Sequence, residues 1–104
     1  MITEYTGLYV TASGFAISVG TSNTAVLPAN AQRRYAVFHN EGSNPMWLTF
    51  GVSASISVSG VRLEASGNSG CRYEMSPRLG NLYLGAINGI ASSTMTVIGV
   101  EGSA

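Results

Sequence analysis

Short runs of Val, Ile, Leu, Tyr and Phe follow one another along this chain, and most are closed by Gly, Ser, Asn or Pro. No window of about 11 residues places apolar side chains at i, i+3, i+4 and i+7 with good helix formers between them, so the pattern predicts strands and no helix. The runs at 15–19, 24–27, 33–40, 46–51, 52–59, 61–64, 71–75, 81–87 and 94–100 read as candidate strands. Pro28 stops the second of these because it has no amide donor for a ladder.

Alternation assigns the faces. Along 33–40, Tyr35, Val37 and His39 share one side while Arg34, Ala36 and Phe38 share the other. The turn formers from Asn40 to Pro45 separate this run from 46–51, and the two are expected to pair as an antiparallel hairpin. There Met46, Leu48 and Phe50 form the face whose bulk marks it as core, so Trp47 and Thr49 point away from it. Residues 52–59 alternate Val, Ala, Ile and Val with four serines, which predicts a half-buried strand whose outer face is lined with hydroxyls. Asn88-Gly89 is the strongest two-residue turn signal and is expected to follow the strand at 81–87. The last strand is expected to end at Val100, with 101–104 as a polar tail. Residues 1–14 are the least regular stretch and read as an extended arm, with Tyr5, Leu8 and Tyr9 placed to dock on a neighbour.

Eight or nine short strands with turn signals every eight to twelve residues or so predict an all-β, single-domain antiparallel β-sandwich or jelly roll over residues 15–104. A chain of 104 residues suits one such domain, and no internal repeat suggests a solenoid or a propeller.

Composition narrows the function. Only 10% of the residues are charged, the five cations are all Arg, the five anions are all Glu, and the formal net charge is zero. Without Lys the chain lacks the broad phosphate-neutralising surface of a nucleic-acid binder, and without Asp it lacks the usual material of a Ca²⁺ or Mg²⁺ cage. No cofactor is expected. Cys71 is the sole cysteine, so no internal disulfide forms and a zinc site lacks ligands. No basic leader or long apolar span precedes the strands, so the expected product is soluble, made in the cytosol and not membrane-bound. A surface this poor in charge resists association weakly, and much of it is expected to be covered by other protein.

Catalytic material is sparse. A nucleophile, base and orienting group would have to be drawn from His39, the sole histidine, with a Ser or Cys71 and a Glu, and a structural histidine is the simpler reading. Glu41, Glu64 and Glu74 near strand ends show no spacing that selects a carboxylate pair. Gly67-Asn68-Ser69-Gly70 has no helix after it and so no phosphate-binding helix terminus. Arg33 and Arg34, adjacent in a strand, point to opposite sides, so one of them is expected to be partly covered and to need a carboxylate or carbonyl partner, with an interface anchor as the functional reading for Arg33. Trp47 faces either a second layer of the protein or a partner, and exposed Trp and Tyr side chains would also suit sugar stacking.

The order of several motifs resembles small virion proteins of tailed bacteriophages. These are Asn30-Ala31-Gln32-Arg33-Arg34-Tyr35-Ala36-Val37-Phe38-His39-Asn40, then Met46-Trp47-Leu48-Thr49-Phe50-Gly51, Tyr73-Glu74-Met75, Gly85-Ala86-Ile87-Asn88-Gly89-Ile90 and Val97-Ile98-Gly99-Val100-Glu101-Gly102. The resemblance spans about residues 24–102. It implies a non-enzymatic β-sandwich and a loop where 52–59 alternates, and it carries over no catalytic residue. The function expected is that of a capsid decoration or cement protein on the virion surface, a homo-oligomer, trimer favoured, that bridges capsomers of the major capsid protein. A tail or head–tail connector component, or a carbohydrate-binding or adhesin module, is the alternative. Tyr5, Leu8, Tyr9, Arg33 and Trp47 are the expected interface residues.

Overall fold

The computed structural model of the chain describes residues 11–51 and 60–104. Eight strands make two four-stranded antiparallel sheets: β1 (Thr11–Val19), β2 (Thr24–Leu27), β3 (Arg33–Asn40), β4 (Met46–Phe50), β5 (Val61–Leu63), β6 (Arg72–Met75), β7 (Ile87–Ala91) and β8 (Met95–Ser103). Sheet A has the order β1-β8-β3-β6 and sheet B the order β2-β7-β4-β5. Strands one and eight, two and seven, three and six, and four and five are thus neighbours, which is the strand order of a jelly roll. The predicted all-β sandwich is the fold observed.

The inner faces meet in a core that includes Val19, Phe38, Met46, Leu48, Met75, Ile87 and Val97, all without accessible surface. Aromatic rings stitch the layers together near one end. Phe15 lies 5.7 Å from Phe38, Phe38 lies 6.5 Å from Tyr73, and Phe50 of sheet B sits 5.9 Å from Tyr73 and 5.6 Å from Tyr83. Such offset contacts add to plain area burial. Gly99 makes the Phe15 contact possible: a Cβ there would collide with the Val37 carbonyl and the Phe15 ring.

Four expectations are corrected. The predicted hairpin of β3 and β4 does not form, because β3 pairs with β6 and β8 while β4 pairs with β5 and β7. Both strands bury one face, and the linker at 41–45 instead arches over the end of the sandwich to put those faces against each other. Asn88-Gly89 is not a turn; the two residues lie inside β7, opposite Thr49 and Leu48. The glycine sits in a tight spot, since a Cβ would meet a Val26 methyl at 3.2 Å, close enough that the neighbour would have to give by a few tenths of an ångström. Residues 81–86 form no strand. Residues 11–14, expected in the arm, belong to β1, and the last strand runs past Val100 to Ser103, because Thr11 pairs with Ser103 and Ala12 with Gly102. The alternating stretch 52–59, in the β4–β5 connection, lies outside the described residues, as do Tyr5, Leu8 and Tyr9.

Candidate functional site

Chemistry-bearing side chains converge at one place, the end of β3 on the outer face of sheet A. His39 reaches that face by strand alternation, since Ala36 and Phe38 are buried inward. Asn40 ends β3 without accessible surface and organises the arch. Its Nδ2 donates toward the carbonyls of Asn44 (2.8 Å), Glu64 (3.0 Å) and Leu63 (3.3 Å), and its Oδ1 accepts the Gly42 N–H at 2.8 Å. The Asn40 N–H donates to the Cys71 carbonyl at 2.9 Å, and the Glu41 N–H donates to the Thr96 carbonyl at 2.9 Å. These backbone bonds bring Glu41 and Cys71 to the two sides of His39.

The resulting row runs from carboxylate to imidazole to thiol. Glu41 Oε2 lies 2.5 Å from His39 Nδ1, and Cys71 Sγ lies 3.3 Å from His39 Nε2. A carboxylate only accepts, so Nδ1 carries the hydrogen and, in the neutral ring, Nε2 presents its lone pair to the thiol. Nucleophile, base and orienting group are therefore in the order general-base activation requires. The group is open to solvent: the His39 side chain is 32% and that of Glu41 43% exposed, and Cys71 is half-buried. The sequence supplied these three residue types, but no spacing rule joins position 71 to position 39; the β3–β6 pairing does.

The same face carries apolar rungs toward its other edge. Ala16, Ile98 and His39 lie abreast, as do Gly14, Val100 and Val37, and Ile98 and Val100 are more than a third exposed. Beyond them β1, nine residues of which none is charged and none is proline, is the edge of the sheet among the described residues.

Arg33 has an internal role instead of the expected interface one. The β3–β8 register slips between Arg33 and Tyr35, a bulge that turns Arg33 inward although simple alternation groups it with Tyr35. It has no accessible surface. Nε pairs with Glu101 Oε2 at 2.7 Å, Nη1 donates to the carbonyls of Tyr83 (2.7 Å) and Gly85 (3.0 Å), and Nη2 donates to that of Pro28 (2.7 Å). One guanidinium thus ties together the β2–β3 loop, the 81–86 segment and the end of β8. The signals missed in the sequence are Glu101, read as part of a tail, and the bulge.

Trp47 points away from the core as expected and is half-buried. It stands opposite Ile90 and Arg62 on the outer face of sheet B, with the Arg62 guanidinium carbon 5.6 Å from its ring centre. Arg62 is held in turn by Glu64 at 2.9 Å. The indole face that a sugar would need is thereby shared with a cation. Comparison with known proteins adds no relative: no family model, curated protein or solved structure matches the chain.

Proposed function

We propose that this chain is a non-enzymatic structural protein of a virion, a homo-oligomer that decorates and cements a capsid through contacts with the major capsid protein. The observation that carries the reading is the edge strand β1. Exposed edges recruit other strands unless they are short, charged, bulged or broken by proline. β1 has nine residues, TASGFAISV, without a charge or a proline, and among the described residues its only strand partner is β8. The other three edges are guarded. β2 has four residues and runs into Pro28, β5 is three residues with Arg62 at its centre, and β6 is four residues bearing Arg72 and Glu74.

The missing lysines of the sequence are thus missing where they would block assembly. The apolar rungs of Ile98 and Val100 extend the same low-charge surface inward from that edge. The occupant proposed for β1 is a second copy of the chain. A β1-to-β1 contact is isologous and closes at two copies, whereas the favoured trimer sets β1 against a different patch of its neighbour. Many modest contacts of this kind combine into tight attachment on a repetitive shell.

Sedimentation of the isolated protein at micromolar concentration tests the assembly step, with a trimer expected and a monomer overturning it. Co-sedimentation with purified particles tests the location. The protein is expected to pellet with intact heads, and its retention at the top of the gradient overturns the virion reading.

A further inference from the structure

We propose that Cys71, His39 and Glu41 form a reactive-thiol site that exchanges with low-molecular-weight disulfides and so carries a reversible thiol adduct on the chain. The geometry supplies each element that exchange requires. The thiolate is the attacking species, and the His39 Nε2 lone pair 3.3 Å from Sγ is placed to take the proton. Glu41, at 2.5 Å from Nδ1, fixes the tautomer that leaves Nε2 free and stabilises the imidazolium that forms. The other charged groups nearby are Arg72, opposite His39 in the β3–β6 register, Glu74, 3.9 Å from Arg72, and Glu64 beside Gly70, paired with Arg62 at 2.9 Å; from β8 the neighbour is Ile98.

Openness selects the reaction class. Acyl transfer develops an oxyanion that needs preorganised donors in a water-excluded site, whereas the charge in disulfide exchange stays on sulfur and needs only in-line access. With His39 32% and Glu41 43% exposed, the site fits the second. In the step, the Cys71 proton passes to His39 Nε2, Sγ attacks one sulfur of the small disulfide, a new Sγ–S bond forms and the original S–S bond breaks. The departing thiolate takes a proton from the imidazolium or from water. Cys71 is oxidised to the disulfide level, and one sulfur of the reagent is reduced to a thiol. No second cysteine exists in the chain to resolve the product, so the adduct persists until an external thiol removes it.

The test uses the full chain with glutathione disulfide, adduct formation being read by intact mass, and with dithiobis(nitrobenzoate) for the rate. One adduct per chain is expected, absent in Cys71→Ser. Near pH 7 the wild-type rate is expected to exceed that of His39→Ala by about 10-fold or more, the scale of general-base assistance, with Glu41→Gln between the two. That ratio is expected to narrow in strong alkali, where hydroxide deprotonates the thiol unaided, a trend that simple loss of packing does not produce. The exposed Glu41→Gln change serves as the second variant should His39→Ala unfold. Rates unaffected by both substitutions, or no glutathione adduct on the wild type, would overturn the proposal. Because the readout is a chemical adduct, a failure here is separate from a failure of oligomer formation.

Discussion

β1 and β6 close opposite sides of the same sheet and are built on different rules. β1 is nine residues long, uncharged, and flanked by exposed Ile98 and Val100 on the neighbouring strand. β6 has four residues, and its outward positions Arg72 and Glu74 face each other at 3.9 Å beside the His39 site. Among the described residues, one edge is an extended ladder without charge or proline, and the other is short and charged, the features that discourage strand addition. The contrast teaches where a protein with 10% charged residues spends them: seven of the ten, Arg33, Arg34, Glu41, Arg62, Glu64, Arg72 and Glu74, sit on or beside strands β3, β5 and β6, and none lies on β1.

The largest effect is expected from Arg33→Ala, which attacks the β1 side at its root. Arg33 stands opposite Ser103, and Ser103 also pairs with Thr11 at the start of β1. Removing the guanidinium leaves Glu101 and the carbonyls of Pro28, Tyr83 and Gly85 without their shared partner. A loss of about 3–5 kcal/mol in urea unfolding is expected, the usual cost of breaking a buried pair from one side. Hydrogen exchange should show β1 and the end of β8 deprotected ahead of β6. Next in size is Gly99→Ala, whose methyl would meet the Val37 carbonyl and the Phe15 ring. Here about 1–3 kcal/mol is expected, as for overpacking elsewhere, read by the same denaturation.

These two predictions bear on what was legible beforehand. The bounds of β2 and β3 follow from the sequence because each has a sharp local stop, Pro28 after one and the Asn40–Pro45 cluster after the other. The partner of β3 was not legible, since an Asn-Gly-Pro-rich linker serves an arch between sheets as well as a hairpin within one. Asn88-Gly89 was not legible for a related reason: the pair lies inside β7 opposite Thr49 and Leu48, where the glycine has a Val26 methyl close by and no turn to make. At the site, the outward face of His39 was readable from alternation. Its meeting with Cys71 was not, because it depends on the register of β3 against β6.

A lysine on the unguarded edge tests the contrast itself. Ala16 is exposed near the middle of β1, so Ala16→Lys is expected to change stability by no more than about 0.5 kcal/mol, as at other surface positions. It is nonetheless expected to shift the sedimenting species from oligomer to monomer. An unchanged mass would remove β1 as the assembly edge.

The smallest effect is expected at the guarded edge. Arg72→Ala breaks an ion pair of 3.9 Å whose side chains are 60% and 43% exposed. Such pairs contribute about 0–1 kcal/mol and this one, long and solvated, belongs at the low end. Stability and oligomer mass should both stay as in the wild type. What the substitution does remove is one of two charges on a four-residue edge, so a rise in mass would mean that charge alone was holding that edge closed. Where the single change leaves the mass as it was, the double change Arg72→Ala with Glu74→Ala separates length from charge: if the mass still holds, shortness is enough to guard β6, and it is the length of β1 that distinguishes the two edges.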